Sequence, residues 1–337
     1  MDFASGTYTG DGSTPRSFSG LGFAPAVVGI FRTDATYLTV WKTLSMSSTD
    51  SFVWFDQVAS SAQMIRSLDS DGFTVGSGAY VNANAATYQW WALSADADAL
   101  ATGSYAGSGA DDRDIPVAIA PDIVLVQETP NDGLNVNYCH MWITSVGGDS
   151  SANIEPNTAA GTDHVQGAGA SGFQVGLGLN QATKTYYWVA LKRKDDNIIE
   201  GTYTGDGTDD RNITFVGDSF QPEMVLVKGA VGGAFNLASC RTTAHIGDSA
   251  MTFQNGNAAN VIQAFNASGF QVGSSTAINA NGPTYWYAAW GPGTSTVSAA
   301  AGIPSAAPSP FEFPDTPYAW YKMGLDMLQT YKSAKLR

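Results

Sequence analysis

The chain is poor in charge and poorest in positive charge. Lysine and arginine number 16 and acidic residues 30 among 337 residues, a formal net charge of −14. A protein that tracks a phosphate backbone or an anionic membrane needs a basic footprint, so neither nucleic acid nor a lipid surface is an expected partner. Glutamate is scarcer still: 25 of the 30 acids are aspartate. Aspartate favours turns and glutamate favours helices, so the balance predicts a turn-rich chain, and the low charge argues against helical bundles and coiled coils. There are two cysteines, Cys139 and Cys240, and no CxxC, so no disulfide framework is expected. The three histidines, His140, His164 and His245, have no helical i,i+4 pairing, and a zinc site is not expected. The longest apolar runs are as short as Ile123–Val126, so no membrane insertion is expected. The start, MDFASGTYTGDG, has neither a basic stretch nor an apolar one, which reads as no signal peptide and synthesis in a cytoplasm.

Glycine, with 37 residues, and many serines, threonines and asparagines take the place of the missing charge. They are arranged in a repeat. GTYTGDG stands at Gly6–Gly12 and again at Gly201–Gly207, with GSYAGSG at Gly103–Gly109 between them. Each copy has an arginine ten residues after its first glycine: Arg16, Arg113 and Arg211. A proline then opens an apolar run at Pro25, Pro121 and Pro222. The second half of each unit carries SDGFTVG at Ser70–Gly76, ASGFQVG at Ala170–Gly176 and ASGFQVG at Ala267–Gly273. Aromatic runs follow from Thr87, Thr185 and Thr284.

Short runs bounded by glycine turns, with Asp-Gly as a hairpin signal, predict strands. The fold expected is all-β: three tandem β-sandwich repeats, jelly-roll-like, of about 98 residues. Their boundaries are 1–97, 98–198 and 199–291. A beads-on-a-string row and a pseudo-threefold body are both compatible with the repeat. The middles of the units, near 36–65, 130–165 and 232–262, do not match one another, and Ser60–Leu68 reads as a helical turn. Residues 292–317 hold six prolines and read as a linker. In 318–337, Tyr318, Tyr321, Leu325, Leu328 and Tyr331 fall on one helical face, an amphipathic helix suited to docking on a partner.

Beyond composition, the order G-T-Y-T-G-D-G, F-x-P-D-x-V, S-x-G-F-x-V-G and T-Y resembles a domain of tailed-phage and prophage virion proteins. Phe23-Ala-Pro25, Pro121-Asp122, Phe220-Gln-Pro222, Gly72-Phe73 and Gly172-Phe173 carry the resemblance, which covers residues 6–290. Copy one has Ala26 and copy three Glu223 where that pattern has aspartate. The resemblance implies a non-enzymatic virion structural protein, a decoration, fibre or tail-appendage component with other virion proteins as partners and a homo-oligomeric state on the particle. It supplies no catalytic residues and no cofactor.

Two rival functions stay open. A carbohydrate-binding adhesin would use Trp41, Trp54 and Trp142, in the unaligned middles, to stack on host surface glycans. A polysaccharide depolymerase would need a pair of carboxylates across a cleft. His245 and Ser249 lack the order and context of a hydrolase site. Asp69-Ser70-Asp71-Gly72 imitates the start of a calcium loop, but Tyr80 stands where its glutamate is required. Asp206, Asp209 and Asp210 read as turn residues, with a calcium loop as the alternative.

Overall fold

The computed structural model describes residues 1–291, apart from 36–38, 48–49, 55–62, 130–138, 155–157, 232–236 and 254–255. The first repeat contributes strands β1 (Phe3–Thr9), β2 (Arg16–Ser19), β3 (Pro25–Arg32), β4 (Val40–Thr43), β5 (Phe52–Val53), β6 (Ile65–Asp69), β7 (Gly72–Val75) and β8 (Thr87–Ser94). The second contributes β9 (Leu100–Ala106), β10 (Arg113–Pro116), β11 (Ile123–Glu128), β12 (Cys139–Ile143), β13 (Ala152–Asn153), β14 (Val165–Gly169), β15 (Gly172–Val175) and β16 (Thr185–Leu191). The third contributes β17 (Ile198–Thr204), β18 (Arg211–Thr214), β19 (Met224–Gly229), β20 (Ser239–Thr242), β21 (Ala250–Thr252), β22 (Gly256–Ala258), β23 (Ile262–Asn266), β24 (Gly269–Val272) and β25 (Thr284–Trp290). Ile65–Asp69 is a strand, so the helical turn expected near Ser60–Leu68 is corrected where the structure describes it. Its pairing with β7 and the packing of Ile65 against the core outweigh the local sequence.

Each repeat folds into a large antiparallel sheet and a small one. The large sheets run β1-β8-β3-β4-β5, β9-β16-β11-β12-β13 and β17-β25-β19-β20-β21-β22. The small sheets are β2-β7-β6, β10-β15-β14 and β18-β24-β23. The repeat extends to irregularities: the outer strand of each small sheet shifts register at Ile65/Ser67, Val165/Gly167 and Ile262/Ala264.

Successive side chains on a strand point to opposite faces. In the central strands of the large sheets both faces are buried, each against something different. Along β11, Val124 and Val126 pack within the second sandwich, while Ile123 and Leu125 join a cluster shared with the first repeat. Along β25, Tyr285, Tyr287 and Ala289 fill the third sandwich, while Trp286, Ala288 and Trp290 join the same shared cluster. The three large sheets therefore turn their second faces onto one common core. Volumes there are traded between repeats. At one pair of facing positions the chain has Gly29 with Trp91, then Leu125 with Val189, then Leu226 with Ala288. A Cβ on Gly29 would lie 2.3 Å from the Trp91 ring, so the large indole requires the glycine.

Hydrogen bonds close the three seams in a cycle. From repeat one to two, Ser45 donates to the Gly103 carbonyl (3.2 Å), Trp41 Nε1 to Gln127 Oε1 (2.6 Å), and the Cys139 amide to the Trp54 carbonyl (2.8 Å). From two to three, the Ser145 amide donates to Glu200 Oε2 (3.1 Å) and the Ala160 amide to the Ala230 carbonyl (2.9 Å). From three back to one, the Ser5 and Thr243 hydroxyls share a hydrogen bond (2.9 Å) and Gln89 Nε2 donates to the Ala244 carbonyl (3.2 Å). Each repeat touches both others. Of the two arrangements compatible with the sequence, this is the closed one.

Candidate functional site

The repeated arginines are the first candidates for chemistry, and the structure ties each to a buried asparagine. Arg16, Arg113 and Arg211 donate to the carbonyls of Thr9, Ala106 and Thr204 at 2.5–2.7 Å. The same nitrogens donate to the Oδ1 atoms of Asn82, Asn180 and Asn279 at 3.0–3.2 Å. Each guanidinium lies over a tyrosine ring, Tyr8, Tyr105 or Tyr203, at 5.1–5.7 Å. The asparagines are fully buried, and their Nδ2 atoms donate to the carbonyls of Ser13, Ala110 and Thr208. This lock holds the glycine turn of each repeat against the strand that follows it, so these hydrogen bonds are spent on structure. A sequence signal for the asparagine exists: it stands six residues before Tyr88, Tyr186 and Tyr285, in the T-Y strands.

The turn acids are used in the same way. Asp206 accepts from the Thr208 amide and hydroxyl, and Asp209 accepts from Gln263 Nε2. Hydrogen bonds from Thr208 hold the Asp206 carboxyl below its ordinary pKa. Burial alone would raise the Asp11 carboxyl, but hydrogen bonds from Ser13 and Asn82 and the Arg16 charge outweigh it and bring it to about 2. Asp71 caps the neighbouring loop by accepting from the Gly20 and Gly22 amides. Among the described residues, no three His, Cys, Asp or Glu side chains are grouped to hold a metal ion.

Trp41, Trp54 and Trp142 are buried, at 0%, 1% and 3% exposure. This corrects their placement on a glycan-facing surface: no ring face is open to a sugar. Trp41 and Trp54 meet edge to face at 6.2 Å in the common core. Trp142 lies opposite Val124 on β11, the place held by Lys42 on β4 and Arg241 on β20. All three donate to carbonyls of the following turn: Trp142 to Gly148 (3.1 Å), Lys42 to Ser47 (2.5 Å) and Arg241 to Gly247 (2.8 Å). Three unlike side chains do one job, and that hid the equivalence of the middles. Burial lowers the Lys42 ammonium to about 8, with Asp50 opposing.

His245 and Ser249 do not form a dyad. His245 Nδ1 takes the Thr242 amide (3.1 Å), and Ser249 donates to the Ile246 carbonyl (3.0 Å). Burial, helped by the Arg241 charge, pushes the His245 imidazole down to about 3. Cys139 and Cys240 are free and buried, with their thiols pushed up by burial. Burial raises the Glu200 and Glu223 carboxyls; Glu200 is occupied in the seam with Ser145.

Among the described residues, two outward-facing features stand apart from these. The first is a pole where the chain segments gather. Asp96, between repeats one and two, accepts from the Met1 ammonium and from Lys194 Nζ, both at 2.7 Å. Asn197, between repeats two and three, donates to the Met1 and Gly291 carbonyls (3.2 and 3.4 Å). The start of β1, both junctions and the end of β25 thus lie together. The connections β3–β4, β11–β12 and β19–β20 leave from the other end of those strands. Leu44, Val216 and Ile246, at 57%, 80% and 89% exposure, are the most exposed large apolar side chains described, and each belongs to a segment at the junction pole.

The second is a hollow of about 590 Å³ on the small sheet of repeat two, lined by Asp114, Pro116, Gly167, Gly169, Gly172 and Gln174. At Gly167 and Gly169 a Cβ would meet nothing within 4 Å, and neither has a positive φ. The equivalent residues are Ser67 and Asp69 in repeat one and Ala264 and Asn266 in repeat three. The expected docking residues Tyr318, Tyr321, Leu325, Leu328 and Tyr331 lie outside the described residues. Among those described, no helix is long and apolar enough to cross a membrane. No family model matches the chain, and no curated protein sequence matches it.

Proposed function

We propose that this protein is a non-enzymatic structural component of a tailed-virus particle, a decoration, fibre or tail-appendage protein. Its repeated body presents loops, and it is mounted through the segment beyond Gly291. The observation that carries this reading is the polarity of the body. Both junctions and the exit at Gly291 share one end, tied by Asp96 and Asn197, and the β3–β4, β11–β12 and β19–β20 connections leave from the other. Exposed Leu44, Val216 and Ile246 at the exit end suit burial against a neighbour. The repeated motifs, which resemble virion domains, support the same reading. High aspartate and low lysine keep a surface soluble at high copy number. The test is quantitative mass spectrometry of purified particles, with this chain counted against the major capsid protein. The reading requires its presence in stoichiometric amounts; absence from intact particles overturns it.

A second reading, a carbohydrate-binding adhesin, is favoured by one observation, the hollow on repeat two. Glycines in a strand cost about 0.5–1 kcal/mol each relative to alanine, and here neither φ nor packing requires them. Bare backbone flanked by Asp114 and Gln174 suits close approach of a neutral or amino sugar, whereas Asp114 would repel an acidic one. Replacing Gly167→Ser and Gly169→Asp installs the residues of repeat one. Loss of glycan-array binding by that variant, with the wild type binding, supports the adhesin; no binding by the wild type removes it.

A further inference from the structure

Repeat two departs from its siblings at one buried place. His140 on β12 and His164, just before β14, stack with ring centroids 4.1 Å apart and planes 21° apart. The equivalent positions hold Val40 and Met64 in repeat one and Ser239 and Val261 in repeat three. Nothing about the fold asks for imidazoles there, because the siblings close the same seam without them. His140 is 6% exposed. The Nδ1 atoms of both rings are buried and make no hydrogen bond among the described residues. Near-parallel stacking does not converge two ring edges on one point, so the pair is not arranged as a chelate.

We propose that the His140–His164 stack is an acid-sensitive latch on the β12–β14 seam, closed while both rings are neutral and opened when the surroundings acidify. Among the described residues, the charged groups facing the pair are Asp163 and Asp149, both on the His164 side. Across its sheet, His140 stands opposite Val126 on β11 and Asn153 on β13. The two carboxylates favour a first proton on His164, but burial of the ring outweighs them. A second on His140 places two cations in contact within a desolvated seam. Burial and the mutual charge of the pair oppose ionisation of His140, and burial opposes it at His164. The unfolded seam binds protons at an ordinary imidazole pKa, so opening takes up protons below pH ~6.5 and the closed form weakens as pH falls. Repeat one has no histidine, and repeat three has His245 alone. Unlike the functional proposal above, this latch needs no particle.

Hydrogen exchange on the full chain at pH 7 and pH 5, corrected for intrinsic rates, tests it. In the wild type the opening constant of the β12 and β14 segments should rise about 25-fold for each histidine that stays neutral when closed. The β4 and β6 segments of repeat one should change far less. His140→Val with His164→Met, the residues of repeat one, should remove the rise in repeat two. His140→Ser with His164→Val, the residues of repeat three, should do the same should the first pair fold poorly. A pH response of β12 and β14 that survives these substitutions, or that matches β4 and β6 in the wild type, overturns the proposal.

Discussion

Trp41 and Gln127 belong to different repeats, 86 residues apart, yet the indole donates to the amide oxygen at 2.6 Å inside the common core. A double-mutant cycle on them measures how far the repeats share stability. Trp41→Phe keeps an aromatic ring and removes the donor. It leaves Gln127 Oε1 buried without that partner, a loss of about 1–3 kcal/mol, with a cavity cost of order 1 kcal/mol added. Gln127→Met keeps the volume and leaves both Trp41 Nε1 and the Val53 carbonyl without the amide, again about 1–3 kcal/mol. The double variant removes both halves of the pair, so its loss should fall short of the sum by about 1–2 kcal/mol. The assay is urea unfolding of the full chain, followed by fluorescence and by far-ultraviolet circular dichroism. Additivity within ~0.3–0.5 kcal/mol would refute the coupling between repeats one and two.

Other outcomes follow from the same contacts. Asn180→Ala should cost about 2–4 kcal/mol in thermal or urea unfolding, because it strips partners from the Ser108 amide, the Ala110 carbonyl and Arg113 together. Trp142→Phe should cost about 1 kcal/mol through the lost bond to Gly148 and should leave any cell or glycan binding unchanged; a loss of binding without a loss of stability would return Trp142 to the surface. Burial alone would raise the Asp96 carboxyl, but hydrogen bonds from Lys194 and the terminal ammonium outweigh it and hold it well below its ordinary value. Its contribution is present above the unfolded pKa near 4 and is lost as pH falls through the folded value. Asp96→Asn should therefore flatten the wild-type decline in melting temperature below pH ~4; an unchanged decline would show that the junction charges do not contribute.

Much of the architecture was legible because each local feature repeats. The glycine turns, the proline-led strands and the aromatic T-Y strands each appear in three copies, and the structure places all three copies alike. The common core was not legible, for a physical reason. Its faces are complementary rather than repeated: Trp91, Val189 and Ala288 occupy one position, and Gly29, Leu125 and Leu226 face them. Tryptophans in unmatched segments looked like surface residues for the same reason. Lys42, Trp142 and Arg241 share a role that depends on an N–H donor and not on residue type, so letters alone conceal it. The Asp-Ser pairs at Asp50, Asp149 and Asp248 were the available clue to the alignment. The hollow on repeat two was also hidden, since two glycines in a strand become informative once their Cβ positions are seen to be open.

Ser5 and Thr243 test the closed arrangement most directly, because they join the first repeat to the third across 238 residues of sequence. Their hydroxyls lie 2.9 Å apart, while Cys139 and Cys240 are buried away from competing chemistry. Ser5→Cys with Thr243→Cys in the full chain should form an intramolecular disulfide on mild oxidation, identified by mass spectrometry of the linked peptides. A row of separate sandwiches would leave the first and third apart. Finding the two thiols free, or linked between molecules alone, would contradict the shared core.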